Sequence, residues 1–348
     1  MKMEYEILFA LTLLVAIAFL LTNSSNDSSS VIAAIIASNT AAPIRAVTLA
    51  AGCEFLGSIT GASGVAFSMV GLLNVGIKGD VLLIVCAAFI AALGWNFFSG
   101  KIGLPSSSTH ALVGGLVGCA ICSDGFAAVN WGIIDLLEHG KIDGIFKIVC
   151  GLIFSPIIGI IVAFVMQKFA SLVFRSAGCG LNKNLSSCQW LFTGLLAYNH
   201  GANDSQKVAG LIMLVFVVHG QHHGSQIFLA EQVPLWLRLI CGCCMGLGVL
   251  VGSWAIIKTL GNKVCKMNNL NSFNSDLASF GVLASANYFG MPISATQVIA
   301  GSVVGVGAAE SPRGVNWQIG GEMLLSWCVT MPATAVFGAI LFKLFNLL

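Results

Sequence analysis

Hydroxyls, carboxylates and glycines recur in this chain at matched spacings. The stretch GLPSSSTHALVGGLVG, residues 103–118, returns as GMPISATQVIAGSVVG at residues 290–305, identical at seven of sixteen positions. Gly103/Gly290 and Pro105/Pro292 mark a turn, and Ser107/Ser294 and Thr109/Thr296 place hydroxyls just after it. Gly114/Gly301 and Gly118/Gly305 then continue into an apolar helix. Proline suits the first helical position because its missing N–H would be unpaired there, and Ser or Thr caps the free amides. Pro105 followed by Ser106, Ser107, Ser108 and Thr109 therefore reads as a helix start rich in donors. Free amides and the positive end of the helix dipole attract an oxyanion, and neutral hydroxyls hold it without the grip of a fixed Arg. One such stretch would be an ordinary capped helix. Two, each in a half that also carries an acidic tract, point to a divided anion site made of Ser107, Ser108, Thr109, Ser294 and Thr296, with Gln206 as a hydrogen-bonding group near it.

The acidic tracts are the second chemistry. Asn26-Asp27-Ser28 lies inside TNSSNDSSS, nine polar residues between apolar runs, and Asn203-Asp204-Ser205 recurs with the same order. Hydrocarbon tolerates such backbone only where it is buried in protein or lines a wet cavity, so both tracts are expected to break their helices. Carboxylate, amide oxygen, hydroxyl and unwound carbonyls suit a hard cation such as Na⁺ at Asp27 and Asp204, or a proton carried on the acid. Asn26, Asp27, Asn203 and Asp204 are the expected cation ligands; an Asp capping the helix that follows is the plainer reading, and both can hold. Glu54 is a further acid within an apolar run, either part of the polar site or paired with Arg45 or a Lys. Asp276 is a weaker candidate, and Lys207 stands three residues after Asp204, on the same helical face. His110 in the first motif and Gln297 in the second are supporting residues.

These groups must be positioned by a membrane fold. The 348 residues are 57% hydrophobic and 9% charged, with mean hydropathy +0.92, whereas a soluble domain is about a quarter charged. The chain reads as an all-α, polytopic integral membrane protein of the cell membrane. At about 20 residues per span, the apolar runs allow on the order of ten crossings, some too short or broken to cross alone. Net charge of +2 gives nucleic acid no support as a partner. Most of the twelve cysteines sit in apolar runs and behave as small hydrophobes, and the CxxC of Cys119 and Cys122 lacks a second pair at zinc-like spacing. The tract HGQHHG (219–224) reads as a solvated loop rather than a metal site. Residues 4–21 resemble a signal peptide but are followed by no small-residue cleavage site.

Four landmarks occur in the same order in both halves: the Asn-Asp-Ser tract, the Pro-x-Ser-x-Thr start, Asn130-Trp131 or Asn316-Trp317, and a span bearing Pro156 or Pro332. A duplication accounts for this, giving a first repeat over 1–174, a linker over 175–188 and a second repeat over 189–348. In transporters, duplicated halves with broken helices place the substrate at the repeat interface.

At these residues the chain resembles the inorganic phosphate transporter (PiT) family. HGANDSQKVAG (200–210) and SSND (24–27) look like its two signatures, and CEFLGS (53–58), MGLGVLVGSW (245–254) and VNWQIGGEMLLSWCVTMPA (315–333) also match in the family's order. The resemblance implies two inverted repeats with broken helices and re-entrant hairpin-like segments, phosphate bound between them, coupling to Na⁺ or H⁺, no other cofactor, and a homodimer. Departures are Ser24, Ser25 and Ser30 in the first signature, Ala295 and Gln297 where Thr and His are usual, and Ala255 in place of an Arg. The expected function is phosphate import by symport and alternating access. A sulfate permease of related fold, a membrane-embedded phosphatase and a passive channel or assembly protein are the alternatives; the absence of a P-loop signature argues against ATP hydrolysis.

Overall fold

The computed structural model describes residues 2–74, 81–175, 180–223 and 232–347. Backbone buried in hydrocarbon must satisfy its own hydrogen bonds, which helices do within one segment. The described residues are accordingly helical, apart from connections and one isolated bridge between Leu73 and Val129. The first half holds α1 (Lys2–Val31), α2 (Ala33–Ala37), α3 (Pro43–Thr60), α4 (Gly64–Val70), α5 (Val81–Ile102), α6 (Ser108–Asp124), α7 (Ile133–His139) and α8 (Gly144–Val173). The second holds α9 (Gly180–His222), α10 (Leu235–Val251), α11 (Trp254–Lys258), α12 (Asn269–Tyr288), α13 (Ala295–Glu310) and α14 (Trp317–Asn346).

The two halves share an order, with α2 and α7 additional in the first: a long helix carrying a polar tract, at the end of α1 and midway along α9, then a bent pair, a straight helix, a motif helix and a proline-bearing helix. The bends are 72° between α3 and α4 and 64° between α10 and the α11 segment. Trp131 and Trp317 each donate their indole N–H to a carbonyl five residues upstream, Phe126 and Pro312. Residues 180–188 of the expected linker are already the first turns of α9.

One expectation changes. The polar tracts do not break their helices: α1 runs through residues 22–30 to Val31, and α9 runs unbroken through 200–205. The breaks lie instead at Gly61–Ser63 and at Gly252–Ser253, and the tracts stay helical because neighbouring helices supply their side-chain partners. Among the described residues four helices are long and apolar enough to cross a membrane, or six if each bent pair counts as one, and shorter helices accompany them as the broken apolar runs led one to expect. At 1.5 Å per residue, α6 and α13 measure about 25 Å, short of the roughly 30 Å hydrocarbon core. On α8, exposed Ile153, Ile157 and Ile161 repeat at i, i+4, an apolar stripe suited to lipid.

The halves interlock by exchange. Helix α6 packs on α14 and α13 on α8, while α3 packs on α9 and α10 on α1. The motif glycines make the first two contacts close: a β-carbon at Gly118 would strike the Ala335 carbonyl, and one at Gly305 the Ile160 carbonyl. Small residues at crossings serve this purpose in membrane helices.

Candidate functional site

Each motif is a turn followed by a capped helix. Gly103 (φ 67°) and Gly290 (φ 59°) adopt the left-handed region that β-carbons disfavour. The helices then begin later than the sequence suggests: Ser107 caps α6 by accepting from the His110 amide at 3.1 Å, and Ser294 caps α13 by accepting from the Gln297 amide at 3.4 Å. Pro105 therefore precedes the cap instead of opening the helix, and its carbonyl accepts from the Trp327 indole at 2.9 Å. The two starts face one another, with Gln297 Nε2 3.3 Å from His110 Nδ1.

Between these starts lies a carboxylate. Asp27 is 4% exposed; its Oδ2 accepts from Ser108 Oγ at 2.5 Å and its Oδ1 from Thr296 Oγ1 at 2.8 Å. Anion and cation residues, expected as two neighbouring groups, thus share these hydroxyls. Among the described residues no basic side chain forms an ion pair with Asp27.

The second aspartate is heavily partnered. Lys207 Nζ reaches Asp204 Oδ1 at 2.6 Å, Thr109 Oγ1 at 2.7 Å and the Ile293 carbonyl at 2.7 Å, using all three donors. Asp204 Oδ2 accepts from Asn23 at 2.9 Å and lies 3.2 Å from His200 Nε2. His200 Nδ1 is 2.8 Å from Glu54 Oε1, and Ser28 donates to Glu54 Oε2 at 2.8 Å. Glu54 thus pairs with His200, not with Arg45 or a Lys. One ligand atom each of Asp27, His200 and Asp204 lie within 4.8 Å of one another, a set able to hold a cation. The cluster has three carboxylates, one lysine and one histidine, so with every carboxylate ionised its negative charges outnumber its positive ones even when His200 is protonated. A buried surplus of this kind is costly unless a cation or proton offsets it.

The asparagines turn elsewhere. Asn26 donates to the Asn96 carbonyl on α5 at 2.7 Å, and Asn203 to Asn287 Oδ1 at 2.6 Å and the Met291 carbonyl at 3.2 Å. Adjacent residues on a continuous helix point about 100° apart, so Asn and Asp cannot converge as they would on unwound backbone. Gln206 sits at the α3/α4 bend, where its Oε1 accepts from the Val65 amide at 3.2 Å. Asp276 lies apart, accepting from Thr193 at 2.6 Å. The residues that sequence reasoning missed are Asn23 and His200, each four positions before an aspartate; the helical i, i+4 spacing was the available signal.

The phosphate transporter family model matches the chain twice, over residues 23–178 and 177–338. The chain belongs to the phosphate transporter family. The double match follows the two halves of the fold, and family membership sets aside the phosphatase reading, because this is a family of transporters and not of enzymes. A protein of Bacillus subtilis (strain 168) called a probable low-affinity inorganic phosphate transporter is 33% identical over 348 residues, covering 99% of each chain. One of Rhizobium meliloti (strain 1021) with the same description is 31% identical, covering 94% of this chain and 93% of its own. A solved structure described as the sodium-dependent phosphate transporter matches with TM-score 0.84 and 21% identity, covering 98% of this chain and 99% of that one. At that identity the likeness concerns the fold: a multi-pass helical membrane protein built of two repeats.

Proposed function

We propose that this protein imports inorganic phosphate across the cell membrane by symport with Na⁺ or H⁺, alternating access around the buried site between its inverted repeats, and that it works as a homodimer. The relatives' descriptions and the paired helix starts support phosphate as the substrate. The observation that carries the coupling is Asp27, a buried carboxylate that forms no ion pair with a basic side chain among the described residues and is held by one hydroxyl from each motif.

A hydroxyl has one proton to donate. While Ser108 and Thr296 donate to Asp27, neither can donate to phosphate. A cation or proton on Asp27 weakens its claim on both hydroxyls and offsets the charge of the incoming anion, so each ion lowers the desolvation cost of the other. Freed hydroxyls and the first amides of α6 and α13 then face the same space, where helix ends favour an oxyanion. In this reading Ser107 and Ser294 hold the helix starts in shape. Asp204, His200 and Asn23 complete the cation's surroundings in place of Asn26 and Asn203. Lys207 ties α9 to the Thr109 end of α6 and to the turn before α13.

The test is uptake of radiolabelled phosphate by liposomes containing the purified protein, with Na⁺ and pH gradients imposed separately. One gradient is expected to drive accumulation, and sulfate to compete poorly. Asp27→Asn is expected to abolish gradient-driven accumulation. Accumulation that ignores both gradients, or an Asp27→Asn protein with unchanged cation dependence, would overturn the reading.

A further inference from the structure

Far from the buried cluster, residues 219–223 of the HGQHHG tract are not the loop that its composition suggests, and Gly224 lies outside the described residues. Helix α9 extends to His222, and the His223 amide continues the helical register by donating to the His219 carbonyl at 3.3 Å. His219 and His223 therefore share one face at i, i+4, and that face meets Glu6 in the second turn of α1. Glu6 Oε1 lies 2.7 Å from His223 Nε2 and 3.2 Å from His219 Nε2, with Oε2 3.1 Å from His219 Nε2. The ligand atoms lie within 4.8 Å of one another. Donors of a tetrahedral zinc site, each about 2.0–2.2 Å from the ion, stand about 3.3 Å apart, so small rotations of these side chains would bring them onto one ion.

The surroundings orient the rings. Phe9 stacks on His219 with centroids 3.9 Å apart, and Tyr5 stacks on His222 at 3.8 Å. His222 is thereby engaged with Tyr5, while His219 and His223 both present Nε2 to Glu6. The three side chains are partly exposed, at 22% for His219, 40% for His223 and 48% for Glu6, which leaves a path for an ion and room for a water as fourth ligand. Two imidazoles and a carboxylate, two residues four apart on one helix, form a ligand set suited to borderline divalent metals over Mg²⁺ or Ca²⁺.

We propose that Glu6, His219 and His223 bind a divalent transition metal of the zinc class, tying the start of α1 to the end of α9. The consequence is mechanical. Helix α1 carries Asp27 and α9 carries His200, Asp204 and Lys207, so the metal would join the two helices at one end, about 22 Å along α9 from Asp204.

The test titrates Zn²⁺, and Co²⁺ as a spectroscopic probe, into the purified full-length protein in detergent. Wild type is compared with Glu6→Gln, His219→Gln, His223→Gln and, as a control, His222→Gln. Wild type is expected to bind one equivalent that gives the visible absorption of nitrogen- and oxygen-ligated tetrahedral Co²⁺. That equivalent should disappear, or weaken by no less than the roughly 10- to 100-fold lost with outer-shell partners, in the first three variants and persist in His222→Gln. Zn²⁺ should raise the melting temperature of wild type and of His222→Gln but not of the other three. Wild type that binds no metal at micromolar Zn²⁺ would leave only an ion pair and overturn the site. Unchanged stoichiometry and affinity in the His219 and His223 variants would overturn it equally, placing the metal on cysteines or other groups.

Discussion

Lys207 offers the sharpest test of how the cluster is held together, since all three of its donors are committed within a site where it is 3% exposed. Lys207→Met keeps most of the stem's volume but removes the charge from Asp204, Thr109 and the Ile293 carbonyl. Breaking a buried ion pair costs about 3–5 kcal/mol. Asp204 retains Asn23 and His200 on its other oxygen, which puts the pair itself near the lower end. The two neutral acceptors each lose one hydrogen bond, about 1 kcal/mol apiece, while Thr109 Oγ1 still donates to the Ile293 carbonyl at 3.3 Å; the total is about 5 kcal/mol. At about 2 °C per kcal/mol, the slope for a large domain, the melting midpoint in detergent should fall by about 10 °C. Adding Asp204→Asn removes the uncompensated charge, so the double variant should regain part of the loss, and the double-mutant cycle measures the coupling directly. A Lys207→Met protein that melts within about 2 °C of wild type, or a double variant no more stable than the single one, would refute the assigned pairing.

Two further predictions address the anion cradle and the packing that supports it. Ser108→Ala and Thr296→Ala each delete one hydroxyl that bonds Asp27 and that, in the proposed reading, turns to phosphate once a cation or proton occupies Asp27. Loss of a hydrogen bond to a charged group, about 1.5–3 kcal/mol, should raise the phosphate KM by about tenfold or more in liposome uptake, and an unaltered KM in both would remove these residues from the site. Gly118→Val drives a side chain into the Ala335 backbone and should destabilise by about 1–3 kcal/mol. Gly52→Ala, where nothing lies within 4 Å of the new β-carbon, should be neutral or stabilising; equal melting of the two variants would contradict the close α6–α14 contact.

Sequence alone determined the membrane class, the duplication, the glycine-turn and serine-cap grammar of both motifs, and the two aspartates. These are local or compositional properties: hydropathy follows from side-chain transfer, and a cap depends on residues three apart. The Lys207–Asp204 pair was also legible, because i, i+3 spacing on one helix fixes it. The sequence reads the tracts around Asp27 and Asp204 as helix breaks because a polar run is unfavourable in hydrocarbon, and only packing shows that protein surrounds it and keeps it helical. Once those tracts are helical, neighbouring Asn and Asp must diverge, which sends Asn26 to α5 and Asn203 to α12. Tertiary structure alone decided that α6 packs on α14 and α13 on α8, that His200 joins Glu54 to Asp204, and that Asp27 sits between hydroxyls 81 and 269 residues away. No spacing in a sequence encodes such a meeting; it follows from which helix surfaces bury against which, and the exchange between halves makes that a property of the whole chain.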